Sequence, residues 1–363
     1  MVKDRIKKMG HYKPPLEGRS EKDYLLLDFN ERTTEPSEKI KEALKKFIDS
    51  GRLQIYPEYE DLEAKIAKYV GVPAGQVIVT NGGDQGIDII CRAHLDEGDK
   101  VIIPFPAFAM HYQSAGIQGA EILGPRYGEN GEFPSEEVMN LLINDEKIKL
   151  IIICNPNNPL GSSISITDVE KILIKAKEKG IAVLHDEAYF EFSKLTCKDL
   201  IEKYDNLYIM RTFAKAFGLV ASRAGYIISQ ENNIQELLKI RGPYDVNMFA
   251  KTAILAALED TKYMKDYVKE VMKRAKPKLE EFLRKKGIFF YPSQANFLLI
   301  IVANPQKLIT LLKSQGILVR PKQAPDGKEA VRVSIGTSKD TERFIRVFDK
   351  VLTPPPKFAI ERD

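Results

Sequence analysis

Between residues 77 and 228 short apolar runs alternate with longer segments of mixed character. Val77-Ile-Val-Thr80, Val101-Ile-Ile-Pro104, Ala120-Glu-Ile-Leu123, Lys149-Leu-Ile-Ile-Ile-Cys154, Ile181-Ala-Val-Leu184, Asn206-Leu-Tyr-Ile-Met-Arg-Thr212 and Ala224-Gly-Tyr-Ile-Ile228 each read as a strand. The run 149–154 is continuously apolar, the pattern of a strand covered on both faces. The intervening segments at 86–94 and 167–179 read as helices. Strands alternating with helices predict an α/β fold, a mainly parallel central sheet with helices on both sides.

Beyond about residue 245 the pattern changes. Residues 247–286 are charged and helical in pattern and serve as a connecting helix. Then come a strand at Asn296–Val302, a helix at Pro305–Ser314, strands at Ile317–Arg320 and Val331–Ile335, and a final helix to about Val351. Asp326-Gly327 supplies a turn, since glycine takes the positive φ that tight turns need. That turn would set Arg320 and Arg332 side by side across a hairpin. The expected organisation is an N-terminal arm (1–35), a large domain (36–245) and a smaller α/β C-terminal domain with its linking helix (246–363). Pro354–Pro356 is the one low-complexity run.

Composition narrows the classes. A chain of 363 residues suits two unequal domains or one large one, and 44% hydrophobic with 29% charged residues is ordinary for a globular protein. The net charge of +4, from 55 basic and 51 acidic residues, gives no electrostatic case for nucleic acid. Three separated cysteines and four scattered histidines form neither a disulfide framework nor a metal-binding spacing, so no metal is expected. The basic start lacks an apolar segment behind it, and no run is long enough to cross a bilayer. A cytoplasmic protein without membrane partners is the expectation.

In open α/β sheets, ligands bind beyond the carboxyl ends of the strands. Those ends carry Asn81-Gly82-Gly83-Asp84-Gln85 at a helix start, Asn155-Pro-Asn-Asn-Pro-Leu-Gly161, His185-Asp186-Glu187-Ala188-Tyr189, Lys215 after Thr212, and Arg223. Lys215 sits in Thr212-Phe-Ala-Lys-Ala-Phe-Gly218 with no acidic residue within three positions. Alone it reads as a lysine that snorkels to water; desolvated, it would be a nucleophilic amine. A glycine-rich helix start with Arg223 and Thr212 makes a phosphate site. A nucleophilic lysine and an aspartate able to face a pyridinium nitrogen are what pyridoxal phosphate requires.

The ordered set Asp28-Phe-Asn-Glu31, Tyr56-Pro57, Gly82-Gly-Asp84, Asn155–Gly161, Asp186-Glu-Ala-Tyr189, Arg211–Lys215 with Arg223, and Val331-Arg332 before Ile335-Gly-Thr337 resembles the fold-type I pyridoxal-phosphate enzymes. Within them it resembles the histidinol-phosphate aminotransferase family, over nearly the whole chain. The resemblance implies that Lys215 holds the cofactor covalently and serves as base and acid for the proton shift. Asp186 would keep the ring nitrogen protonated, Asn158 and Tyr189 would bind the phenolic oxygen, and Phe108 would stack on the ring. Gly83, Asp84, Thr212 and Arg223 would hold the cofactor phosphate, with Tyr56 reaching the phosphate of a neighbouring subunit in a homodimer. Asn30 and Arg332 would bind the substrate carboxylate, and Arg320 with Tyr12 a second anion such as a substrate phosphate.

The implied activity is amino transfer between glutamate/2-oxoglutarate and histidinol phosphate, in histidine biosynthesis. Alternatives on the same scaffold are an aromatic or other amino-acid aminotransferase, or a decarboxylase of a phosphorylated amino acid. A different class, a non-enzymatic α/β regulator, would have no need of the full set Lys215, Asp186, Asn158, Tyr189 and Arg223. The chain departs from the family pattern in four places. Ala214 stands where serine is usual, Phe108 where tyrosine is common, and Gln85 where glutamate is frequent. Arg32-Thr-Thr-Glu-Pro36 replaces an Asn-Pro-Tyr-Gly-Pro run, a change expected close to the substrate.

Overall fold

In the computed structural model, which describes residues 1–352, the apolar runs become strands. The Pro354–Pro356 run lies outside the described residues. In chain order the strands are β1 (Leu25–Leu26), β2 (Val77–Thr80), β3 (Lys100–Ile102), β4 (Glu121–Leu123), β5 (Ile148–Cys154), β6 (Ala182–Asp186), β7 (Leu207–Thr212), β8 (Gly225–Ile228), β9 (Phe297–Ile300), β10 (Ile317–Leu318), β11 (Arg320–Gln323) and β12 (Glu329–Ser334). Seven form one sheet in the order β2-β8-β7-β6-β5-β3-β4. Only β8 runs against its neighbours, so the sheet is mainly parallel, with β2, β3, β5, β6 and β7 all ending on one edge.

The continuous apolar run of β5 has its cause in the packing. Ile151 and Ile153 enter the core on one face of the sheet, while Leu150 and Ile152 enter the core on the other. Alternate side chains of a strand point to opposite faces, so a strand between two helical layers must be apolar at every position. One layer holds the helix Ile166–Glu178, through Val169, Ile172, Leu173 and Ala176. The other holds the helix Gly82–His94, through Ile87, Ile90 and Cys91.

The segment 247–286 is not one helix. It breaks at Asp260 into Met248–Glu259 and a second stretch from Thr261. Asp260 leaves helical geometry at φ −122°, ψ 49°, consistent with aspartate's preference for helix ends over interiors. The second stretch widens into a π turn at Val271–Ala275 just before Pro277, where the proline cannot supply an N–H.

Ile317–Arg320 also divides. Ile317 and Leu318 pair in parallel with Leu25 and Leu26. Arg320 begins β11, which pairs with β12, itself paired with β9. The amide of Ser334, at the end of β12, bonds the Leu27 carbonyl at 2.9 Å, so the segment that begins with β1 is held to β10 through Leu25 and Leu26 and to the end of β12 through Leu27. No helix among the described residues is long and apolar enough to cross a membrane.

Candidate active site

The carboxyl edge of the large sheet and the β11–β12 hairpin enclose a chamber of about 320 Å³. The start of the helix Gly82–His94 forms its floor. Gly82 has φ +80°, and a Cβ there would lie 2.8 Å from Nη2 of Arg223. A Cβ on Gly225 would meet the Arg211 carbonyl and the Gly82–Gly83 backbone at 2.8–2.9 Å. Glycines at both positions let the strand and the helix start close into a cup of N–H groups at a positive helix end, a shape and charge suited to phosphate. Arg223 bonds Asp84 at 3.0 Å across this cup. Gly225 is a requirement that sequence reasoning missed, because the clash is with backbone distant in sequence.

Lys215 emerges from the loop after β7 into the chamber. Its ammonium donates to the Phe29 carbonyl at 3.0 Å and has no carboxylate partner among the described residues. Burial, then the Arg332 guanidinium, push its pKa down to about 8, against smaller opposing pulls from Glu31 and Asp84. The lone lysine of the sequence is therefore a desolvated amine, not a snorkelling surface charge.

Asp186 ends β6. One of its oxygens accepts from the Ala188 amide at 3.0 Å and the other lies 2.9 Å from Nε2 of His111. His111 is 1% exposed and was not foreseen as a site residue. Its signal in the sequence is faint: one turn after Phe108, and 75 residues from its partner. Below Asp186, Glu187 is held by Arg211 at 2.8 Å and His185 at 3.0 Å. Burial disfavours that carboxylate, but Arg211 and His185 more than offset it and keep its pKa below the usual range. This bridge ties the end of β6 to β7. His185, Glu187 and Cys197 lie close enough to suggest a metal, yet Glu187 is already neutralised by Arg211.

Tyr189 is buried, and burial raises its pKa above the ordinary tyrosine value. Its hydroxyl accepts from Asn30 at 2.9 Å and from Asn158 at 3.3 Å. With both lone pairs taken, its own O–H is left to donate into the chamber. Arg332 bonds the Asn158 side-chain carbonyl at 2.6 Å and the Asp28 main-chain carbonyl at 2.7 Å, leaving its Nε without a partner. Burial pushes its pKa down to about 10. Arg320 and Arg332 are direct partners across the hairpin, as the Asp326-Gly327 turn predicted. Arg320 lies over the Phe29 ring at 4.8 Å, and Arg19, which is paired to Asp28 and Glu31, over the same ring at 4.6 Å.

The structure thus gathers Lys215, Asp186, Tyr189, Asn158, Phe108, Gly83, Asp84, Thr212 and Arg223 in one chamber, together with Tyr12, Asn30, Arg320 and Arg332. Of the three described non-glycine residues with positive φ, two, Asn30 and Arg223, belong to it. Tyr56 does not: it is 71% exposed and stacks on Tyr244 at 4.1 Å, away from this chamber. The departure at Arg32–Pro36 is not on the substrate side either. Arg32 turns away, lying between Tyr263 and Tyr267 at 4.5 and 4.3 Å and donating to the Ala216 carbonyl at 3.2 Å. Two aromatic faces and a carbonyl are better surroundings for a guanidinium than a chamber already lined with cations.

The family model for aminotransferase class I and II matches residues 22–348. The chain belongs to that family. It is a pyridoxal-phosphate-dependent transaminase, and the cup, the free amine and the buried aspartate fit that cofactor. A histidinol-phosphate aminotransferase of Geobacillus sp. is 35% identical over 342 residues, 91% of this chain and 90% of the relative. A dihydroxyacetone phosphate transaminase of Campylobacter jejuni is 36% identical over 325 residues, 88% and 87% of the two chains. The solved histidinol-phosphate aminotransferase of Sinorhizobium meliloti, in complex with pyridoxal 5'-phosphate, has a TM-score of 0.84 to this chain. It covers 96% of this chain and 98% of its own at 22% identity, a likeness of fold.

Proposed function

We propose that this aminotransferase moves an amino group between glutamate/2-oxoglutarate and histidinol phosphate, as a step of histidine biosynthesis. The observation that carries the reading is the Arg320–Arg332 pair lining the chamber that holds Lys215, with no carboxylate among the described residues bound to either guanidinium. A site built this way takes an anionic substrate at a distance from the reacting amine, and the 35% identical Geobacillus relative bears that activity in its name.

Pyridoxal phosphate supplies an electron sink for the carbanion left when a substrate Cα loses its proton. The remaining work falls to the chain. Lys215 would hold the cofactor and, as a free amine, would take the proton from the substrate carbon and return it. A neutral amine near pH 8 can take that proton and give it back. Asp186, oriented by His111, would keep a proton on the ring nitrogen. Tyr189 and Asn158 would hydrogen-bond the phenolic oxygen, Phe108 would stack on the ring, and Gly83, Asp84, Thr212 and Arg223 would bind the phosphate. Arg332 clamps the carboxylate of glutamate bidentately beside Asn30, while Arg320 and Tyr12 meet a second anion.

The exposed apolar residues Leu53, Ile55, Tyr56, Tyr244 and Phe249 form a patch suited to a second copy, from which Tyr56 would reach the partner's cofactor phosphate. We also keep the division into an arm, a large and a small domain, closing near residues 35 and 245, and a cytoplasmic setting, which suits three free buried cysteines. Incubating the enzyme with histidinol phosphate and 2-oxoglutarate tests the reading. Glutamate should form, and Lys215→Ala should abolish it together with the long-wavelength absorbance of the bound cofactor. Absence of glutamate with active, cofactor-loaded protein would refute it.

A second reading has its own support. The 36% identical Campylobacter relative is named for dihydroxyacetone phosphate, which shares a phosphate monoester with histidinol phosphate. The same hairpin would bind it, so the two are separated by which amine reacts.

A further inference from the structure

The β11–β12 hairpin brings three cations to the chamber wall, and the proposed function uses two. Residues i and i+2 of a strand share a face, so Lys322 stands beside Arg320, which is itself paired in register with Arg332. All three line the chamber. Its carboxylates are engaged elsewhere: Asp84 with Arg223 at 3.0 Å, Asp186 with His111 at 2.9 Å, Glu31 with Arg19 at 2.5 Å. Among the described residues Arg332 has neutral acceptors only, and the buried Nη1 of Arg320 has none. Among the described residues the Lys322 side chain makes no hydrogen bond and no ion pair. Burial, then Arg332 and Arg320, push its pKa down to about 7. Such a cluster is unfavourable in the empty site and becomes favourable when an anion arrives.

We propose that Lys322 is a substrate-binding residue that completes a three-cation subsite for a phosphate monoester dianion and sets the preference for phosphorylated over unphosphorylated amines. The inference rests on the reading that the second substrate is phosphorylated, and it adds the residue that selects for the phosphate. One carboxylate brings one charge, which a single guanidinium meets in a planar, bidentate way. A phosphate monoester brings close to two charges at pH 7 and three oxygens in a tetrahedral array. An ammonium on a flexible stem, with three rotatable donors, suits the oxygen that two planar guanidiniums leave uncovered.

The test compares wild type with Lys322→Met and Lys322→Arg, each loaded with cofactor so that the cofactor's own phosphate cup is filled. Single half-reactions are run with histidinol phosphate, with histidinol and with glutamate. Lys322→Met should raise the histidinol phosphate concentration for half-maximal conversion by roughly 10- to 100-fold, the loss of one charge-assisted hydrogen bond. The limiting rate should change far less, histidinol and glutamate should show much smaller shifts, and Lys322→Arg should recover most of the loss. Equal losses for histidinol and its phosphate would overturn the proposal, as would no loss for either. If wild type converts no phosphorylated amine, the functional reading fails, and inorganic phosphate becomes the probe as an inhibitor of the glutamate half-reaction. Weaker inhibition of Lys322→Met than of wild type supports the subsite; equal inhibition overturns it.

Discussion

Titrating the cofactor-free protein between pH 6 and 10 asks whether Lys215 is the depressed amine its surroundings require. Its pKa falls from the ordinary 10.5 to about 8, with burial the largest cause and Arg332 the next. At pH 7.5 an amine of pKa 8 is about 24% neutral, whereas one at 10.5 is about 0.1% neutral, a gain of roughly 200-fold in nucleophile. The assay is the rate at which added pyridoxal phosphate develops the absorbance of its Lys215-bonded form. That rate should climb about tenfold per pH unit up to pH 8 and then level off. Replacing Arg332 by leucine removes a positive neighbour, so the break should move to higher pH, by less than the full shift because burial remains. A rate that rises unbroken to pH 10 in wild type would refute the account of this site's electrostatics.

Two further outcomes are expected from other parts of the molecule. His111→Phe removes the ring nitrogen 2.9 Å from the Asp186 carboxylate, so kcat should fall about 10- to 100-fold; an unaltered kcat would remove His111 from its orienting role. Lys276 is 5% exposed, bonds the Ser293 and Ala295 carbonyls, and is pushed by burial down to about 8. Between pH 8 and 10.5 the unfolded chain would hold that proton while the folded one has released it, so stability should rise with pH in this window. Relative to Lys276→Met, wild type should gain about 2–3 kcal/mol between pH 7.5 and 10.5 in urea unfolding, and parallel curves would dismiss the effect.

Much of this site was legible because its residues are tied to strand ends. Asp186, Thr212 and Cys154 close strands whose apolar runs are plain in the sequence, and the topology then places the loop after each strand on one edge. The Arg320–Arg332 pairing was legible too, since one turn fixes the register of a hairpin. The residues that escaped are set by contacts remote along the chain. His111 meets an aspartate 75 residues away, and Gly225 is needed where it passes the Gly82–Gly83 backbone. Lys322 differs from an ordinary exposed lysine only once two arginines stand beside it. The split between β10 and β11 escaped for a related reason: periodicity reports which residues are apolar, not which partner strand takes them. Arg32 shows the converse, a visible departure whose side chain leaves the site altogether.

The most direct measurement is a set of half-reactions on the cofactor-loaded enzyme, with glutamate, histidinol phosphate, phenylalanine, phosphothreonine and serinol phosphate added singly while the cofactor absorbance is followed. Serinol phosphate is the amine that corresponds to dihydroxyacetone phosphate. Rapid conversion to the amine form of the cofactor by glutamate and by histidinol phosphate, and by none of the others, is the predicted result. Conversion by glutamate with histidinol phosphate inert would contradict the proposed substrate, and a response to serinol phosphate in its place would assign the hairpin's phosphate site to the other reading.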